Sequence, residues 1–376
     1  MKFALSTLKE YLQTSASLEE ICETLTKIGL EVESVIDKAQ DLKYFTVAKI
    51  IEAQPHPQSN KLKICLVETI DSKVPLQIIC GASNARAGIK VAYAPVNSII
   101  PHNQMQIKVA KIAGVQSNGM LCSAQELNLG NNSEGIIEID ESQQIGTKIS
   151  QVFNIDDAII ELNITPNRGD CLGVYGVACD LVASGIGTLK PINLSKPITN
   201  FSFDLKIENL AKNDCSQICF RIIKNLKNRQ SPEWLVNKLE SAGFNSISAV
   251  VDVVNYVSHI LNRPMHSYDL AKIGKVISIK NNSSITDFIS LKKTTHQIPQ
   301  NILTICDENK IISIAGVIGS LDSSCDDSTT EILLESANFL KEKIANAGRS
   351  LNILSDSRHR FERGVDPNSC LDGIEM

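Results

Sequence analysis

Between residues 40 and 150 the sequence is cut into short alternating runs, and any fold for this chain has to house them. The runs fall at 45–51, 62–69, 76–80, 91–94, 107–112 and 136–139, with turn residues between them. In the second run Leu62, Ile64 and Leu66 share one face and Lys61 and Lys63 the other, the period-two pattern of a half-buried strand. Ser123 followed by Glu126 is a capping box, which predicts a short helix between the last two runs.

Five or six short strands with one helix fit a small closed barrel of the oligonucleotide-binding (OB) type over 40–150. On either side the pattern is α/β. Ser17 and Glu20 form another capping box, Leu18, Ile21, Leu25 and Ile28 make a helical stripe, and Gly29 is placed to end that helix. Residues 30–35 alternate apolar with acidic positions and predict a strand. After the insert, 159–164 predicts a strand, Asp170 is placed to cap a helix reaching about Leu181, and Gly185 to end it. The barrel is thus set between two pieces, 1–39 and 151–190, of one small α/β domain, which requires its ends to lie close together.

Pro191, Ser195, Pro197 and Asn200 give 191–203 a linker composition. A larger α/β domain follows over 204–376. Ser231-Pro232 opens a helix that Gly243 closes, and 255–261 is helical with Asn262 as a left-handed cap. Strands are predicted at 276–280, 302–307, 311–317 and 331–335, and helices at 340–347 and from Cys370. The fold class is α+β, multidomain.

Composition excludes little. Hydrophobic residues are 43% and charged residues 21% of 376, so a sizeable core needs no disulfide or metal staple. The net charge of −5 gives the whole chain no nucleic-acid signature. Eleven cysteines are scattered without a C-x-x-C pair, which argues against a zinc site and for a reducing cytoplasm. No apolar run reaches the length of a membrane span. A barrel face with Lys61, Lys63, Arg86, Lys90, Lys108 and Lys111 is a candidate RNA surface, although these residues equally suit a solvated face.

The densest group of chemistry-bearing residues is Met265-His266-Ser267-Tyr268-Asp269, directly after Asn262-Arg263-Pro264. A proline there fixes the backbone and predicts a turn presenting polar groups. On pattern alone His266 is more readily a structural histidine than a catalytic one, and Glu335 more readily the partner of an arginine.

Several stretches resemble a known family. His56-Pro57-Gln58-Ser59-Asn60-Lys61-Leu62, Cys80-Gly81-Ala82-Ser83-Asn84 and Gly114-Val115-Gln116-Ser117-Asn118-Gly119-Met120 are similar to the tRNA-binding barrel of translation proteins. Ile28-Gly29-Leu30-Glu31-Val32-Glu33, Thr165-Pro166-Asn167-Arg168-Gly169-Asp170, Pro264-Met265-His266 and Arg360-Phe361-Glu362-Arg363-Gly364 resemble the bacterial phenylalanyl-tRNA synthetase β-subunit family, in the family's order. The family's subunit is longer, so the chain resembles its N-terminal part.

The resemblance implies tRNA(Phe) binding by the barrel and an editing domain over 204–376 that hydrolyses mischarged Tyr-tRNA(Phe). It implies Glu335 as the reader of the tyrosine hydroxyl and His266 near the aminoacyl ester. Gly319 would allow close backbone approach, and Ser355 and Ser357 would line the pocket. It also implies an α-subunit partner in a heterotetramer of two α and two β chains, with ATP and magnesium used only by that complete enzyme and no cofactor or metal in this segment. The sequence departs from the family at Thr7, Asn245, Val254, Ala315 and Ser320. Val254 and Asn245 leave open a second reading, a non-enzymatic tRNA-binding or assembly fragment with a decayed pocket. A metal hydrolase built on His266, Asp269 and Glu335 lacks close ligand spacing.

Overall fold

The capping box at Ser17 forms as its spacing predicts. Ser17 Oγ accepts from the Glu20 amide at 3.2 Å, and Glu20 accepts from the Ser17 amide at 2.7 Å. The helix it starts, Leu18–Lys27, buries Ile21 and Leu25. The computed structural model describes residues 1–155, 157–192, 194 and 201–376. The linker residues Ser195, Pro197 and Asn200 lie outside them. Two compact units result, one of residues 36–158 and one of residues 1–35 with 159–376.

The insertion is accommodated by a three-stranded sheet. Strand Ile159–Asn163 lies in its centre, between Lys2–Ala4 and Glu31–Ile36. The chain therefore leaves on one strand and returns on its neighbour. Phe3, Leu8, Ile21, Leu25, Leu30, Ile160, Leu162, Val177 and Leu181 pack beneath as one core. Helix Val174–Ala183 is present, but its cap is Gly173 rather than Asp170. Asp170 is instead held by Arg168, at 2.7 Å.

In the 36–158 unit the strands run in the order Met120–Leu121, Lys90–Ala94, Thr46–His56, Ser59–Glu68, Leu76–Cys80, with Glu138–Ile139 also on Lys90–Ala94. The predicted closed barrel is not formed by this ladder, which stays open between Leu76–Cys80 and Met120–Leu121. The last strand is two residues long and follows Gly119, whose φ of 137° breaks regular pairing. Hydrogen bonds bridge the seam: the Asn118 amide donates to Gln77 O at 2.9 Å, the Ile79 amide to Ser117 Oγ at 3.0 Å, Gln77 Nε2 to Gln116 O at 2.7 Å and Asn118 Nδ2 to Gln77 O at 3.3 Å. The helix predicted after Ser123 is also absent. Its capping contacts form, but Asn128 turns left-handed (φ 54°) before a helix can propagate.

The 204–376 segment holds two sheets around one core. A five-stranded sheet runs Lys206–Asn209, Val276–Asn281, Leu303–Cys306, Ile311–Ile314, Ile318–Gly319. A three-stranded sheet has Ile332–Phe339 in the centre, with Cys215–Ile223 and Met265–Asp269 beside it. Ile277, Ile279, Ile305, Ile312 and Ile314 from the first meet Tyr268, Leu333, Ala337 and Phe339 from the second. Helix Ala249–Leu261 ends at Asn262 in the predicted left-handed conformation (φ 49°, ψ 40°).

Candidate functional site

Residues 265–269 form a strand, not the turn predicted from Pro264. Strand alternation then decides which side chains meet. His266 and Tyr268 share a face, and Leu333, Glu335 and Ala337 share a face of the neighbouring strand. His266 stands directly opposite Glu335, and Tyr268 opposite Leu333. Glu335 is thus an acid at a core position in the middle of Ile332–Phe339, not at a strand end, and only 6% exposed.

The burial has an electrostatic consequence. Loss of hydration pushes the Glu335 carboxyl up to about 7, against the pull of one hydrogen bond from Tyr268. The Tyr268 hydroxyl, itself fully buried, donates to Glu335 Oε2. Glu335 Oε1 accepts no hydrogen bond among the described residues. His266 packs edge-on against the Tyr268 ring, with centroids 4.5 Å apart. Burial pushes its imidazole down to about 4, and its Nε2 has no partner among the described residues. Near pH 7 the site therefore holds a neutral imidazole beside a carboxyl close to half-ionised.

Gly319 comes from the edge of the other sheet, paired with Ser313. A Cβ on it would lie 2.4 Å from His266 Nε2, so space rather than backbone angle requires glycine. Gly319→Ala is expected to displace the His266 ring and cost about 1–3 kcal/mol of stability. A melting temperature unchanged from the parent would refute this packing.

Ser355 and Ser357 serve this site from behind. Ser355 Oγ donates to Val317 O at 2.6 Å and accepts the Arg358 amide at 3.1 Å, capping helix Asp356–Arg363. Ser357 Oγ donates to Gly316 O at 3.0 Å. Both hydroxyls pin the loop that delivers Gly319. His266, Glu335 and Gly319 are brought together, and the serines stand one layer behind. Tyr268 and Ser313 had no assigned role in the sequence. Reading residues 265–269 as a strand would have put Tyr268 on the His266 face.

Other candidates fall elsewhere. Val254 packs with Leu334 and Ile374, on the opposite face of the strand from Glu335. A cavity of about 1060 Å³ opens on that side, lined by Phe201, Phe203, Arg221, Val254, Leu334 and Glu375, and does not include Glu335. Arg358 and Arg360 are buried and bonded internally, so neither faces solvent or an RNA end. Among the described residues, the acidic and thiol groups close enough to share a metal are Asp170, Cys171 and Asp180. Arg168 already donates to both carboxylates.

In the 36–158 unit the six basic candidates divide. Lys63 Nζ donates to Ser83 O and Ala85 O, Arg86 makes a two-pronged pair with Glu138, and Lys90 Nζ donates to Glu141 O and Gln143 O. Lys61, Lys108 and Lys111 are exposed and make no side-chain bond among the described residues. Lys108 stands on a cleft of about 760 Å³ with Ser83, Met105, Ile112, Met120 and Glu126.

A tRNA-binding domain family matches residues 45–148, and the B3/4 domain family matches residues 214–376. The phenylalanine–tRNA ligase beta subunit of Rickettsia bellii (strain RML369-C) is 46% identical over 98% of this chain and 45% of its own length. That of Mesorhizobium japonicum (strain LMG 29417) is 41% identical over all of this chain and 47% of its own. A solved N-terminal fragment of the phenylalanyl-tRNA synthetase beta-subunit from Pyrococcus horikoshii is 13% identical over 50% of this chain and 58% of that one, with a TM-score of 0.30, too low to bear on fold or function. The chain spans about half the length of the curated relatives it matches. With those relatives aligned along almost its whole length and both domain families inside that span, the chain belongs to the phenylalanine–tRNA ligase beta subunits.

Proposed function

We propose that this chain is the tRNA-binding and editing part of its subunit, removing tyrosine wrongly esterified to tRNA(Phe). One observation carries the reading: a buried carboxylate, Glu335, already accepts an aromatic hydroxyl, beside a neutral His266 and a glycine that leaves room. An apolar pocket shaped for phenylalanine rejects an added hydroxyl by only about a hundredfold, so a second site that requires the hydroxyl is needed. Glu335 Oε1 supplies the acceptor that tyrosine satisfies and phenylalanine leaves unpaired.

In the reaction, water adds to the ester carbonyl carbon, and the bond to the ribose oxygen breaks. That oxygen leaves with a proton, giving free tyrosine and tRNA. Orientation of the ester and the water carries the rate, with the His266 imidazole as a neutral wall.

On this reading the 36–158 unit is an OB-type barrel, its short strands and bridged seam supporting that assignment. It holds the tRNA through Lys61, Lys108 and Lys111. Aminoacylation, with ATP and magnesium, belongs to the complete assembly with an alpha subunit in the cytoplasm. The test is deacylation: the protein should hydrolyse Tyr-tRNA(Phe) and spare Phe-tRNA(Phe). Equal slow loss of both esters would leave the non-enzymatic tRNA-binding role.

The charge assignment has its own test. Replacing Lys61, Lys108 or Lys111 with Ala should each flatten the slope of log affinity against log salt by about 0.7–0.9. Lys90→Ala should leave it unchanged, because that ammonium is spent on backbone carbonyls. Fluorescence anisotropy of labelled tRNA across salt reads both, and identical slopes for Lys61 and Lys90 variants would remove the proposed face.

A further inference from the structure

The acid that should read a substrate's aromatic hydroxyl is already bonded to an aromatic hydroxyl of the chain itself. Tyr268 is fully buried in the core shared by both sheets, so its ring is fixed by packing and not free to leave. It reaches Glu335 along the diagonal of the strand pair, a distance that long side chains span. Ser313, the strand partner of Gly319, lies beside the phenol and donates its own Oγ proton to Ile318 O at 3.3 Å. Tyr268 and Glu335 thus form a single hydroxyl–carboxylate pair, while His266 packs on the Tyr268 ring and abuts Gly319.

Resting on the editing reading above, we propose that Tyr268 is a positioning residue for substrate discrimination: its hydroxyl claims Glu335 Oε2, fixes the carboxylate plane and leaves Oε1 as the single acceptor for a substrate hydroxyl. Two alternatives for a buried carboxyl are thereby closed. Unclaimed, it could rotate and present either oxygen, or take up a proton and become a donor. A donor hydrogen bond favours the charged form, opposing the burial that favours the neutral one.

The other titratable groups facing this pair do not replace Tyr268. His266 lies opposite Glu335 on the same strand as Tyr268, and its imidazole is held neutral by burial. Cys215, on the strand beyond Ile332–Phe339, is pushed up to about 12 by burial and by Glu335. Cys306, from the larger sheet, faces the Tyr268 phenol and is raised by burial. All three are neutral near pH 7, so Tyr268 is what sustains the anion.

The experiment is Tyr268→Phe in the intact protein, with deacylation of Tyr-tRNA(Phe) and Phe-tRNA(Phe) measured from pH 6 to 8.5 after subtraction of spontaneous hydrolysis. Loss of the donor should move the midpoint of the tyrosine preference up by about one pH unit, lowering the preference about fivefold at pH 7 and restoring it toward pH 8.5. A preference lost equally at every pH, or a midpoint that stays in place, would overturn the proposal. A second variant separates this from simple damage. In a Glu335→Gln background, Tyr268→Phe should lower the preference no further, whereas a general packing role would add its full loss. The single Glu335→Gln variant keeps the two claims apart. If it retains the parent's preference, the hydroxyl-reading role of Glu335 fails and that of Tyr268 with it, whereas a parent that loses both esters equally removes the editing reading itself. If Glu335→Gln loses the preference while Tyr268→Phe behaves as the parent, only the role of Tyr268 fails.

Discussion

Glu335→Ala is expected to abolish preference for tyrosyl over phenylalanyl ester, by about 10- to 150-fold in relative deacylation rate. That range corresponds to one charge-assisted hydrogen bond of about 1.5–3 kcal/mol. The parent's preference should itself depend on pH. The Glu335 carboxyl is raised to about 7, so the acceptor form is scarce at pH 6 and dominant at pH 8, and the preference should climb between them. Stability should move the other way. The folded state keeps its proton from about 4.5 up to about 7 where the unfolded chain has lost it, so stability falls as pH rises through that window. Glu335→Gln removes the ionisation and should flatten that fall, by on the order of a few kcal/mol. Deacylation rates and unfolding curves at matched pH check both. A Glu335→Ala variant as selective as the parent would remove the hydroxyl-reading role.

Arg360→Ala is expected to cost on the order of 3–5 kcal/mol, a melting decrease of about 10 °C. The guanidinium is 5% exposed and joins three segments. Its Nη1 donates to Leu172 O at 2.6 Å, Ser258 O at 3.1 Å and Asn262 Oδ1 at 3.3 Å, and its Nε to Asp356 at 2.6 Å. Asn262 in turn donates to Gly169 O at 2.7 Å and Gly364 O at 3.2 Å. These contacts need bare backbone: a Cβ on Gly169 would sit 2.5 Å from Gly364 O, and one on Gly173 2.6 Å from the Asn262 amide. Arg360→Lys should not rescue stability, because one ammonium cannot serve the same forked set of acceptors. The loss should reach the site as well. Helix Asp356–Arg363 carries Ser357, and Ser355 caps it, so both hydroxyls that pin the Gly319 loop depend on its seat. A calorimetric scan indistinguishable from the parent would refute the linking role.

Local chemistry explains what could be read in advance. The Ser17 capping box and the left-handed Asn262 each depend on neighbouring residues, and the structure follows them; Ser59–Glu68 is a strand as its alternation predicts, but the core takes Cys65 and Val67 on the Lys63 face and leaves Leu62, Ile64 and Leu66 half-buried. At Ser123 the same logic held for the hydrogen bonds and not for the helix, because Asn128 turned the chain first. Pro264 signalled a turn, yet pairing with the central strand drew 265–269 into the sheet. Site geometry was less legible. Nothing near Glu335 in sequence shows that Tyr268 bonds it, since strand register alone sets that contact. The basic residues of the 36–158 unit looked alike in sequence, and only the fold shows that Lys63, Arg86 and Lys90 are already engaged.

The neighbouring strands that bracket the insert also constrain the order of folding. The Met1 ammonium donates to the carbonyl of Leu162, 161 residues along the chain, so the first strand waits unpaired while the whole insert is synthesised. Closing so long a loop carries an entropic cost that grows with its length. An insert that collapses first on its own core replaces that long loop with two ends held near each other. The first sheet then zips as if across a short hairpin, and a slow non-local step becomes nearly local.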